Sequence, residues 1–145
     1  MKLIIIDYGS GNLRSVENAF LNSITKNSLK CKIEVTNNLH KIINADHLVL
    51  PGVGSYPDCK KGLQNTDGLI DVLSEQVIYK KKKFLGICVG MQLMFDYSLE
   101  KIRTSGFGWL SGYFNKIKVD SLDYLGKNSK VPHMGWNNLN LKHTS

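Results

Sequence analysis

A cysteine between two glycines, Gly86-Ile87-Cys88-Val89-Gly90, is the part of this chain best suited to covalent chemistry. An apolar pair, Phe84-Leu85, leads into it, and Met91-Gln92-Leu93 follows with helix-like character. That order reads as strand, sharp turn, reactive side chain, helix. A nucleophile at the tip of such a turn sits in strained backbone, and side chains two residues to either side would collide. A helix starting just after Cys88 also favours its thiolate through the helix dipole. Taken alone, the window is equally compatible with a buried core cysteine, the usual place for a free thiol. The remaining sequence has to separate the two readings.

Turns at strand ends are the elements that would position such a nucleophile. Lys2–Tyr8 reads as a buried parallel strand, with continuous Leu and Ile and too little length for a helix. Gly9-Ser10-Gly11-Asn12 is its turn, and a helix follows from Leu13 to about Leu21, with Val16, Ala19 and Phe20 as its apolar stripe. Cys31–Val35 is a second strand, Leu39-Ile42-Ile43 marks a short helix, and His47–Leu50 is a third strand stopped by Pro51-Gly52-Val53-Gly54. A helix is expected from about Gly68 to Tyr79, then a fourth strand, Phe84–Ile87, with the helix beyond Cys88 reaching Met94 or Phe95. Alternating strands and helices imply an α/β fold with a mostly parallel sheet. Sites in such sheets lie beyond the carboxyl ends of the strands. The glycine-rich turns after strands one, three and four all fall there and can meet in space.

From Gly106 the character changes. Gly106-Phe107-Gly108-Trp109-Leu110 and the alternating Phe114–Val119 predict an antiparallel extension on the edge of the parallel core. Ser121–Lys130 reads as a polar loop, and Leu139–Leu141 as a last short strand. No repeat or linker divides the chain, so residues 1–145 are read as a single domain.

Composition narrows the function classes. The 145 residues carry a formal net charge of +7, densest at Lys80-Lys81-Lys82-Lys83. These lysines fall where a helix ends and are expected to complement its carboxyl end and stay solvated. No basic–aromatic stripe accompanies them, so nucleic acid is not an expected partner. Gly9-x-Gly11 lacks the third glycine of a dinucleotide fingerprint, and no Lys-Ser or Lys-Thr follows a glycine loop. No cofactor is expected. The three cysteines, Cys31, Cys59 and Cys88, and the four histidines lack metal-ligand spacing, so no metal is expected. The odd cysteine count and the absence of a leader predict a reducing, cytoplasmic setting. No apolar run is long enough to span a membrane.

Taken together, four segments resemble the class I glutamine amidotransferases: Asp7-Tyr8-Gly9-Ser10-Gly11-Asn12-Leu13, Leu50-Pro51-Gly52-Val53-Gly54, Gly86–Leu93, and Pro132-His133-Met134-Gly135-Trp136-Asn137. Within that family the chain is most similar to the glutaminase subunits of imidazole glycerol phosphate synthases. The resemblance covers the chain from Met1 to its end and implies a flavodoxin-like sheet. It implies that Cys88 attacks the side-chain amide of glutamine, forming a thioester and releasing ammonia. It places one oxyanion donor on the Val89 N–H and another on the Gly52-Val53 backbone, reached by a peptide reorientation. It has Gln92 help hold the substrate and Glu100 accept its ammonium; otherwise Glu100 is a solvated helix-end carboxylate. Asn12, Pro132, His133, Met134, Gly135, Trp136 and Asn137 would face a TIM-barrel synthase subunit in a heterodimer. Ammonia would cross that interface away from water, for formation of imidazole glycerol phosphate and AICAR in histidine biosynthesis.

The family also uses a histidine and a glutamate in a His-Pro-Glu-like segment, and this sequence contains none. The expectation is therefore a C-terminally truncated chain that lacks the closing strands and is poorly active alone. Two alternatives remain open at this point: a paralogous amidotransferase subunit for surface-sugar biosynthesis, and a catalytically dead synthase-binding remnant.

Overall fold

A computed structural model describes residues 1–116, 136 and 138. Residues Met1–Asn115 form one compact unit, and a second begins at Lys116. The readings made for Ile117–Val119, Ser121–Lys130 and Leu139–Leu141 lie outside the described residues.

The first unit is built on four parallel strands: β1 (Lys2–Ile6), β2 (Lys32–Thr36), β3 (His47–Gly52) and β4 (Lys83–Cys88). Their order is β2-β1-β3-β4, the doubly wound arrangement of flavodoxin-like sheets. Register aligns Ile5 with Val49, and Gly52 with Cys88, so the strand ends meet on one rim. The central strands read as unbroken apolar runs because both faces are covered. Leu3, Ile4, Ile5, Ile6, Leu48, Val49 and Leu50 are all buried.

Helix α1 (Leu13–Lys26) lies on one face, with Leu13, Val16 and Phe20 against Leu3, Ile5 and Val49. It runs a turn past the expected Leu21, to Lys26, and is capped by Asn27. Between it and β4 remains an apolar groove of about 410 Å³, lined by Val16, Phe20, Leu85 and Ile87. The other face carries α2 (Leu39–Ile43), α3 (Tyr56–Gln64) and α4 (Leu69–Ser74), and α4 runs on as a π turn over Glu75–Tyr79. Ile42, Tyr56, Cys59, Leu63, Leu69 and Leu73 fill the core beneath them. Of the four lysines that follow, Lys82 is half-buried rather than solvated. Its ammonium donates to the Ile43 carbonyl, and burial lowers its pKa.

Helix α5 (Val89–Gln92) follows β4 directly but is a single turn, shorter than the expected run to Met94 or Phe95. Its continuation is diverted because later amides take the carbonyls. Phe107 N–H donates to Leu93 O at 2.7 Å, Trp109 N–H to Met94 O at 2.9 Å and Gly108 N–H to Phe95 O at 3.1 Å. The chain instead enters β5 (Phe95–Ser98), followed by β6 (Thr104–Ser105) and β7 (Leu110–Phe114). These make a separate sheet of order β6-β5-β7. It is mixed: β5 pairs antiparallel with β6 and parallel with β7. The expected antiparallel extension of the main sheet thus takes the form of a second sheet that begins at Phe95.

Candidate active site

The three glycine-rich turns converge on the carboxyl rim of the parallel sheet. A Cβ on Gly11, after β1, would stand 3.1 Å from the Pro51 side chain. One on Gly52, at the end of β3, would stand 2.6 Å from the Gly90 nitrogen and 2.9 Å from the Val89 Cβ. Residues far apart in sequence are therefore packed backbone to backbone around the start of α5.

Cys88 is the residue this convergence displays. It is exposed, and its backbone sits at φ 54°, ψ −117°. That lies outside the wells open to side-chain-bearing residues and costs on the order of 1–3 kcal/mol, which the surroundings must sustain. The surroundings are rigid. A Cβ at Gly86 would lie 2.5 Å from Met91 Cα, and one at Gly90 would lie 1.9 Å from the Leu50 carbonyl oxygen. Both flanking glycines are thus required by backbone contact, and Cys88 is not a core thiol. Val89, buried beside it, opens α5, where the first N–H groups have no partner within the helix.

The turn after β3 carries the other expected oxyanion donor. Val53 is 61% exposed, but its N–H donates to Ser10 Oγ at 3.3 Å. The Ser10 hydroxyl in turn donates to the Val53 carbonyl at 2.7 Å. The Cys59 thiol reaches the same carbonyl at 3.4 Å. Beneath this, the Tyr8 hydroxyl donates to the Pro51 carbonyl at 2.7 Å. Burial raises the Tyr8 pKa, and the neighbouring Cys59 adds to the shift. The sequence patterns do not single out Tyr8, Ser10 and Cys59 as site residues. Their one sequence signal is placement: Tyr8 and Ser10 flank the first turn at the same rim.

Gln92 closes α5 and is half-buried. Glu100 lies on the exposed loop between β5 and β6, and its Oε2 accepts the Tyr56 N–H at 2.9 Å at the start of α3. One carboxylate oxygen thus sits at the start of α3, and the second lies outside that bond. Ser55, just before α3, donates to the Asp58 carboxylate. Of the expected interface residues, Asn12 is exposed, and its side-chain oxygen accepts the Ser15 N–H at 3.2 Å, capping α1. Trp136 is fully exposed. Pro132, His133, Met134, Gly135 and Asn137 lie outside the described residues.

A strained, exposed cysteine between a parallel strand and a helical turn, in register with Gly52 at the end of β3, has the geometry suited to an acyl-transfer nucleophile. The family model for glutamine amidotransferase class-I matches residues 4–144, and the chain belongs to that family. Its curated relatives narrow the comparison. It is 41% identical over 144 residues to imidazole glycerol phosphate synthase subunit HisH of Brucella abortus (strain 2308), covering 99% of this chain and 64% of that one. It is 40% identical over 142 residues to the HisH subunit of Rhodospirillum rubrum, covering 98% and 64%. For Rhodopseudomonas palustris HisH the figures are 44% over 139 residues, covering 96% and 62%. The chain thus spans a little under two thirds of the length of these relatives.

Proposed function

We propose that this chain is the nucleophile-bearing part of a glutaminase subunit of imidazole glycerol phosphate synthase. The Cys88 thiolate attacks the side-chain carbonyl carbon of glutamine. The tetrahedral oxyanion accepts hydrogen bonds from Val89 N–H and from Val53 N–H, once the Val53 peptide has turned away from Ser10. The C–N bond then breaks, a proton goes to the departing nitrogen, and ammonia leaves a thioester on Cys88. Water cleaves the thioester to glutamate and restores the thiol. Gln92 and the free oxygen of Glu100 hold the substrate, the latter at its ammonium.

Among the described residues no histidine is hydrogen-bonded to Cys88. We assign the proton transfers to polypeptide that the relatives carry outside the matched residues. The ammonia acceptor in this reading is a TIM-barrel synthase subunit, bound through Asn12 and the Pro132–Asn137 segment, in the cytoplasm. Delivery across that interface keeps the amine unprotonated and nucleophilic. The relatives quoted share one name, which does not favour the surface-sugar alternative.

The observation that carries the reading is the strained Cys88 backbone locked by Gly52, Gly86 and Gly90. The test is labelling with a glutamine-analogue diazoketone, read by peptide mass spectrometry. Cys88 alone should be modified, and glutamine should protect it. Equal modification of Cys31 without glutamine protection would reject the assignment.

A further inference from the structure

A buried ammonium lies where the reaction above has no use for one. Lys60, on α3, is 8% exposed. Its Nζ donates to the Gly106 carbonyl at 3.0 Å and stands 5.2 Å from the centre of the Phe107 ring. Among the described residues no carboxylate pairs with it. Burial holds its pKa below the usual lysine value. An apolar side chain of similar length would fill the space without the cost of desolvating a charge. Packing alone does not account for the ammonium.

What it grips is the base of the hairpin that carries Glu100. The β5–β6 hairpin has only two residue pairs, Tyr97 with Ser105 and Ser98 with Thr104, and so short a ladder is marginal by itself. Its tip, Leu99–Arg103, is exposed. Gly106 follows β6 immediately, and it cannot shift inward: a Cβ there would lie 2.0 Å from the Phe95 carbonyl oxygen and 2.5 Å from Tyr56 Oη. The hairpin reaches α3 at three places. Lys101 and Asp58 are 4.0 Å apart with both side chains well exposed, a weak tie. Glu100 accepts from Tyr56 N–H. Lys60 on Gly106 is the tie made by a buried cation, and a hydrogen bond from a charged donor is about twice as strong as a neutral one. Tyr56 opens α3 and Lys60 follows one helical turn later, so the tip and the base of the hairpin are both held by the first turns of α3.

We propose that Lys60 is a positioning residue for Glu100: by pinning Gly106 to α3 it holds the hairpin so that Glu100 stays on Tyr56 with its second oxygen presented to substrate. The claim rests on the reading of Glu100 as the ammonium acceptor. The experiment compares Lys60→Met with Lys61→Met, its exposed neighbour, in the full chain. Amide hydrogen exchange at Tyr56 should accelerate about tenfold or more in Lys60→Met, the loss of one charged hydrogen bond. It should be unchanged in Lys61→Met. For diazoketone labelling of Cys88, Lys60→Met should raise the half-saturating concentration by a similar factor and leave the maximal rate within about twofold. Unaltered Tyr56 exchange in folded Lys60→Met overturns the proposal. If that variant does not fold, Lys60→Arg keeps the cation and should keep Tyr56 exchange near that of the unsubstituted chain. In the unsubstituted chain the Tyr56 and Phe107 amides should open together, and independent opening of Tyr56 also overturns it. Should Cys88 fail to label at all, the glutaminase reading falls, while the exchange comparison still decides the role of Lys60.

Discussion

Replacing Gly90 by alanine probes the nucleophile turn most directly. The added Cβ would stand 1.9 Å from the Leu50 carbonyl oxygen, against 3.4 Å for ordinary contact, so α5 and β3 must part by about 1.5 Å. Neither side yields easily. Leu50 is fully buried and lies in β3, which is paired on both sides, and Gly90 sits inside α5 against it. Overpacking costs about 1–3 kcal/mol and occasionally more, and a clash with backbone that cannot give way falls at or above the top of that range. The same movement displaces Val89 and Cys88, and a misplacement near 1 Å costs roughly 10²-fold in a positioned reaction. Gly9→Ala is the matched control. Gly9 has φ +82° but nothing within 4 Å of a Cβ, so only the backbone term of about 1–2 kcal/mol applies. Urea unfolding should show Gly90→Ala less stable than Gly9→Ala by at least about 1 kcal/mol. The diazoketone labelling rate at Cys88 should fall roughly 10²-fold in Gly90→Ala and stay within a few-fold in Gly9→Ala. Equal stabilities, or undiminished labelling in Gly90→Ala, would refute the claim that backbone contact builds the turn.

Ser10→Ala removes both bonds that Ser10 makes to Val53 and should cost about 1 kcal/mol. Hydrogen exchange at the Val53 amide should accelerate with it, and an unchanged rate would show that Ser10 does not hold the loop. Burial lifts the Tyr8 and Tyr56 phenols above 10.0, Tyr56 to about 12. The folded state therefore binds these protons more tightly than the unfolded chain. The stability they contribute is complete below pH 10 and is lost as pH rises through the folded values, by about 1.4 kcal/mol per proton per pH unit. Urea midpoints measured from pH 9 to 11.5 should fall accordingly, with tyrosinate absorbance from these two residues appearing only on unfolding. Finally, Cys88 is exposed and Cys59 buried. Iodoacetamide should modify Cys88 in the native protein and Cys59 only in denaturant, as peptide mass spectrometry would show.

Much of this architecture is legible in the sequence where local pattern and tertiary outcome coincide. The runs Leu3–Ile6 and Leu48–Leu50 are strands buried by helices on either side, and their apolar continuity says so; Phe84–Ile87 is as apolar, yet it lies at the edge of the described sheet with Leu85 48% exposed. Cys88 is legible because its glycines are a local requirement. Helix α3 is not legible in the same way. Its buried residues, Tyr56, Cys59, Lys60 and Leu63, include a lysine that looks like surface, although Pro57 in its first turn is a start signal. The short α5 was hidden for a different reason: the amides that divert the chain come from Phe107–Leu110, remote in sequence. The Ser10–Val53 bonds likewise join residues 43 positions apart. No window of sequence holds both partners.

The strained turn at Cys88 also bears on how the chain acquires its chemistry. Unfavourable backbone geometry survives only where completed packing enforces it. The enforcing contacts come from Leu50 at the end of β3 and from Met91 beyond β4. β4 pairs only with β3 among the described strands, and it is the last of the four in chain order. Until it docks, Cys88 has no enforced turn to display it. The strained nucleophile turn therefore exists only where β4 has docked on β3. A chain with β4 undocked keeps its thiols but not the geometry that would aim Cys88 at an acyl carbon.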